Sequence, residues 1–160
     1  MLRVLMAVAV ALAVGTPSSS VRADLADGLA AFDAGDYAQA AAEFQPLAES
    51  GDAEAQLALA DLYRNGLGVP ADQAAATAWY RRAAEQGVAV AQLNLGEAYH
   101  KGLGVARDPV QAYLWFALAA KQGRKWAEDR RVELSKQLNS AQLEEAERLI
   151  AAWRPRKKVC

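Results

Sequence analysis

The 160-residue chain has one cysteine, Cys160, and one histidine, His100. A lone cysteine has no partner for an internal disulfide. The histidine has no cysteine near it, so no ligand cluster stands at metal spacing, and no serine sits in a Gly-x-Ser-x-Gly elbow. No cofactor, metal site or catalytic constellation is expected, and the chain reads as a non-enzyme. A surplus of either charge is lacking as well: 18 Lys and Arg stand against 19 Asp and Glu, a net charge of −1. Nucleic acid, which wants a basic stripe, is therefore not an expected partner.

Long hydrophobic runs are missing except at the start. Arg3 precedes an apolar stretch from Leu5 to Val14, broken by Gly15-Thr16-Pro17, and Val21-Arg22-Ala23 places small residues where a signal peptidase cuts. That is a secretory leader pattern, with cleavage expected before Asp24. The alternative is an uncleaved anchor, but the apolar stretch falls short of the roughly 20 residues of a span. No cysteine near position 20 could take a lipid. A periplasmic or secreted protein without stable membrane insertion is expected. Cleavage would remove Arg3 and Arg22 and no acid, making the chain more acidic. Cys160 follows the basic tail Arg154-Pro155-Arg156-Lys157-Lys158, where it is expected as an exposed thiol, with intermolecular pairing the other reading.

What the chain has is a repeat of 36 residues. Leu57 to Val69 aligns with Leu93 to Val105, Asp72 with Asp108, and Ala76 with Ala112. The match continues through Trp79 with Trp115, Tyr80 with Phe116, Ala83-Ala84 with Ala119-Ala120, and Gln86-Gly87 with Gln122-Gly123. Similarity at a fixed period marks stacked supersecondary units. Each unit reads as two helices. In the first, Leu59, Leu62 and Tyr63 fall at i, i+3, i+4 spacing, and Gly66 or Gly102 provides a left-handed C-terminal cap. Asp72 and Asp108 stand at N-cap positions of the second helix, and Pro109 suits a first helical residue. Trp79, Trp115, Tyr63 and Tyr99 recur at the period and are expected in the core, the tyrosine hydroxyls reaching neighbouring backbone.

Upstream, Gly28, Phe32, Gly35-Asp36-Tyr37, Ala40 and Phe44 fit a divergent unit without the Gly-x-Gly-Val connector. Downstream, Arg124 to Leu138 starts like another first helix, with Glu128 under Gln92, then departs at Arg131 and Ser135. Asn139-Ser140 opens a last helix through Ala152. Terminal units are atypical because their outer faces meet water. The fold class expected is all-α, an α/α solenoid of eight helices in antiparallel pairs. The organisation expected is a leader (1–23), a divergent unit (24–51), two full units (52–87 and 88–123), a closing helix pair (124–153) and the basic tail (154–160).

The run Ala91-Gln92-x-x-Leu95-Gly96-x-x-Tyr99-x-x-Gly102-x-Gly104-Val105-x-x-Asp108-x-x-x-Ala112-x-x-Trp115-Phe116-x-x-Ala119-Ala120-x-x-Gly123 resembles the consensus of the Sel-like repeat family, and Ala55-Gln56 to Gly87 matches it equally. These are tetratricopeptide-like α/α solenoids. The segment 24–51 is closer to the shorter tetratricopeptide pattern, Gly-Asp-Tyr-x-x-Ala-x-x-x-Phe. The resemblance implies an adaptor, scaffold or regulator, in exported bacterial members at the periplasm or cell envelope. Members with a cysteine pair in every repeat act on β-lactams; this chain lacks the pairs, so that activity is not carried over.

In such stacks the first helix of each pair lines the concave surface. The register places Glu54, Leu57, Asp61, Arg64 and Asn65 there, with Val90, Leu93, Glu97, His100 and Lys101 one repeat on. Asp61 matches Glu97, and Arg64 matches His100, giving an acidic row beside a polar or basic one. Taken singly, each residue also fits an ordinary solvated helix face. Trp126 occupies the place of Glu54 and Val90. It is either an anchor for a partner at the groove's end or packed under the last helix against Leu149 or Trp153, the arrangement expected here. Gly66-x-Gly68 and Gly102-x-Gly104 join helix to helix with no strand before them and are connectors rather than phosphate loops. The function expected is a monomeric scaffold or regulator binding a protein, such as a sensor-kinase ectodomain or a cell-wall enzyme. The alternatives are an enzyme acting on cell-wall material or β-lactams, and a secreted factor that binds a host protein.

Overall fold

The computed structural model describes residues 25–156. The leader, its cleavage site and Cys160 lie outside the described residues. Eight helices follow one another: α1 (Leu25–Asp33), α2 (Tyr37–Glu49), α3 (Ala53–Asn65), α4 (Gln73–Glu85), α5 (Ala89–Lys101), α6 (Pro109–Lys121), α7 (Lys125–Ser135) and α8 (Ser140–Ala152). Each packs on the next as far as α7, and α8 returns onto α6. The result is an all-α solenoid.

The boundaries come from local chemistry. The carboxylates of Asp36, Asp52, Asp72 and Asp108 each accept from backbone N–H groups in the first turn of the helix that follows. Those donors have no intrahelical partner, which is why an acid is favoured there. Asn139 and Gln142 form a reciprocal capping box at α8. Helices α3 and α5 end at Gly66 and Gly102 in the left-handed conformation. The second glycine of each connector has a different task. Gly68 and Gly104 have φ of 67° and 65°, and a Cβ on either would overlap backbone of the preceding unit, at Tyr37 and Gln73 respectively. These glycines let a connector lie directly on the start of the previous second helix. Thr77 Oγ1 seals the contact by donating to the Leu103 carbonyl at 2.8 Å.

Two glutamine relays join the units. Gln56 Nε2 donates to the Ala48 carbonyl, while Gln86 Nε2 donates to Gln56 Oε1 and the Gly51 carbonyl. One period later Gln92 donates to Ala84 O, and Gln122 to Gln92 Oε1 and Gly87 O. Gln56 and Gln92 are buried at 3% and 0% exposure, so these bonds satisfy amides that would otherwise be costly inside.

The apolar interior falls into two clusters, one over α1–α3 and one over α4–α8 that also takes in Ala60 of α3, and Tyr63 and Trp79 touch both. Trp115 is in the core, as expected. Trp79 is only half-buried, with the Arg82 guanidinium 4.5 Å from its ring centroid. The difference is α8, which covers α6 and has no counterpart on α4. Tyr63 and Tyr99 are half-buried too. The Tyr99 hydroxyl accepts from Arg81 Nη2 at 2.9 Å, a side chain rather than the backbone expected.

Candidate functional site

A cavity of about 320 Å³ opens between successive first helices. Its wall takes Arg64 from α3, Tyr80, Thr77 and Gln73 from α4, and Asn94, Glu97, Ala98 and Lys101 from α5. Leu103 of the following connector and Trp126 of α7 close it. Arg64, Glu97, Lys101 and Trp126, four of the residues expected on a binding face, therefore meet at one place.

The acids hold the wall together from inside. Tyr80, 3% exposed, donates its hydroxyl to Asp61 Oδ1 at 2.5 Å, and Arg64 Nη2 lies 2.9 Å from the same oxygen. Burial and the bond to Asp61 raise the Tyr80 phenol far above its ordinary pKa. Arg64 also reaches Asn94 Oδ1 at 3.4 Å and lies 5.6 Å from the Tyr80 ring centroid. The Glu97 side chain is 13% exposed, between Lys101 Nζ at 2.6 Å and Arg130 Nε at 3.5 Å. The cations stand outward, with side-chain exposures of 40% at Arg64, 56% at Lys101 and 32% at Arg130. Of the acidic row expected on the open face, Glu97 is thus turned into the wall and covered by basic groups, while Asp61 keeps 34% side-chain exposure outside the cavity's lining.

Trp126 does not pack under the last helix. It is 44% exposed, with its ring edge against Phe116 at 6.3 Å between centroids and the Arg130 guanidinium 4.7 Å from its ring centroid. Position 126 continues the row of first-helix residues facing the cavity, and α8 packs on α6 instead. Other expected residues are spent elsewhere. Leu57 and Leu93 pack on the apolar core, and His100 lies half-buried with its ring 6.5 Å from Phe116. Asn65 turns back to donate to the Asp61 carbonyl. Glu54 and Val90 are not in the cavity's lining.

The residues that sequence reasoning missed, Tyr80, Asn94, Gln73 and Thr77, share a property. Their counterparts one repeat away are Phe116, Ala58, Pro109 and Tyr113. A difference between repeats was the available signal. Arg81 and Glu85 of α4 are engaged as well: Arg81 with Tyr99, and Glu85 with Arg156 at 2.9 Å. Among the described residues, no group of three or more His, Cys, Asp or Glu is placed to hold a metal ion, and no helix is long and apolar enough to cross a membrane.

The Sel1 repeat family model matches residues 53–88 and 89–123. Among solved structures, the chain is similar to a protective antigen present in uropathogenic Escherichia coli strains that displays an SLR fold. The identity is 35% and the TM-score 0.76, over 81% of this chain and 28% of that one. It is also similar to a Sel1 repeat protein from Oxalobacter formigenes, with 31% identity and a TM-score of 0.67 over 82% of this chain and 56% of the other. The chain thus spans about a quarter and about half of the lengths of these two proteins. No curated protein matches it.

Proposed function

Because the chain belongs to the Sel1-repeat family, whose members are in general non-catalytic protein–protein interaction scaffolds, we propose that it binds a partner protein in the groove bounded by α3, α5 and α7. The observation that carries this reading is Trp126. A large aromatic ring held half-open by Phe116 and Arg130, at the mouth of a cavity, is the kind of residue on which interfaces concentrate their energy. The rest of the lining offers directional donors and acceptors rather than a nucleophile paired with a base. Such a surface holds a chain; it does not cut one.

The same proposal places the protein in the periplasm or outside the cell, delivered by the leader at 1–23, with an envelope protein as partner. The test is site-specific photo-crosslinking in intact cells, with the probe at Lys101 in the groove and at Arg148 on α8. Both are solvent-facing. Crosslinks from position 101 that disappear in Trp126→Ala are expected. A partner captured from 148 alone would move the interface off the groove. Amino-terminal sequencing of the exported protein should begin at Asp24; full-length protein in the membrane pellet would overturn the export reading.

A further inference from the structure

The groove's charge differs from what its sequence suggests, and that difference selects a partner. Asp61 already receives two donors, from Tyr80 and Arg64. Glu97 is withdrawn to 13% exposure between Lys101 and Arg130. A basic segment entering the cavity would meet one acid in its lining, Glu97, and would reach it only by displacing Lys101 or Arg130, exchanging one ion pair for another. The cations are in the opposite state. A guanidinium has five N–H donors in a fixed fork and an ammonium three. Lys101 has one short ion pair, to Glu97, and stands 56% exposed. Arg64 uses Nη2 on Asp61 and has only a long contact from Nη1 to Asn94. Arg130 is engaged, its Nη1 donating to Glu133 at 3.0 Å and its Nε facing Glu97 at 3.5 Å. The lining itself has two cations, Arg64 and Lys101, and one acid, the withdrawn Glu97, in a chain whose net charge is −1, so its basic character is local.

We propose that the groove takes an acidic, extended polypeptide segment, its carboxylates meeting Arg64 and Lys101 and an apolar side chain between Trp126 and Leu103. This rests on the groove being the binding surface and adds the sign and patterning of what binds. Arg130, held by Glu133 and lying over the Trp126 ring, keeps that ring in place beside the two cations. Recognition of this kind depends on charge-assisted hydrogen bonds and weakens with salt.

The test is fluorescence anisotropy with three labelled peptides of one length: glutamates around a central leucine, and the same peptide with glutamine or with lysine for every glutamate. The glutamate peptide is expected to bind, with an affinity that falls as salt rises. Lys101→Gln and Arg64→Gln should each weaken it several-fold, and Arg148→Gln on α8 should not. Trp126→Ala should weaken it more than either, and circular dichroism on every variant confirms the fold. Equal binding of the glutamine peptide, or no binding by any peptide, overturns the proposal. If the lysine peptide binds and depends on Trp126, the groove stands and the acidic partner falls. Glutamate-peptide binding indifferent to Trp126, Lys101 and Arg64 would remove the groove reading along with it.

Discussion

Tyr80 and Phe116 occupy one place a period apart, and the single oxygen that separates them ties α4 to Asp61 of α3. Tyr80→Phe keeps the ring in a pocket that already suits phenylalanine one unit on, so the cost should be the bond alone, about 1 kcal/mol by urea unfolding. The phenol adds a pH signature. Its pKa in the fold lies above the ordinary 10.0 because burial and Asp61 favour the protonated form. Its stabilisation is therefore complete below pH 10 and is lost as pH rises beyond that, and Tyr80→Phe should show a shallower alkaline decline. Glu97 makes a contrasting case. Glu97→Lys would set a third cation beside Lys101 and Arg130 at a poorly exposed position. Its unfolding cost should exceed the roughly ±0.5 kcal/mol of a surface change, whereas Glu97→Gln should be milder. A reversal tolerated without loss would mean that Glu97 is not enclosed as described.

At the scale of an element, the connectors show that two glycines with similar dihedrals have different reasons to be glycine. Gly123 has φ of 83° and open space for 4 Å around the place a methyl would take, so Gly123→Ala should cost only backbone strain, roughly 1–2 kcal/mol. Gly104→Ala carries the same strain and also drives a methyl into the Gln73 backbone. It should be clearly more destabilising in the same urea series; equal costs would mean that the connector yields freely. The helices, their aspartate caps and the connectors were legible in the sequence because each occurs twice, and self-comparison reveals whatever repeats. The cavity was not legible for the same reason. Asn94 and Gln73 have no like counterpart at their period, and Tyr80 differs from Phe116 by the hydroxyl that reaches Asp61. Trp126 was seen, but its surroundings were not: whether α8 would lie over α6 or over α7 depends on a turn at 136–139 that has no repeat to be compared with. The withdrawal of Glu97 was hidden too, since spacing puts it on a face without saying that Arg130 will reach it.

Across the whole molecule, stability is shared unevenly between the two apolar clusters. Trp115→Ala removes a large, 7% exposed ring from the α4–α8 cluster and should cost about 3–5 kcal/mol. Because units in a stack are stabilised chiefly by their neighbours, amide exchange in that variant should rise first in α5–α8 and later in α1–α3. Uniform loss would mean that the two clusters behave as one body. The glutamine relays bear on how such a chain grows. Each relay spans 35 residues from the closing glutamine of one unit to the turn behind it, so a lone residue inserted within a helix between them would turn one partner out of register, whereas one in an exposed connector would be absorbed. The series also has a terminator. Position 128, where the next relay would begin, has glutamate, whose carboxylate is given to Arg131 and has no N–H to offer a carbonyl. An amide passes the pattern on to another unit, and an acid in its place brings the series to a halt.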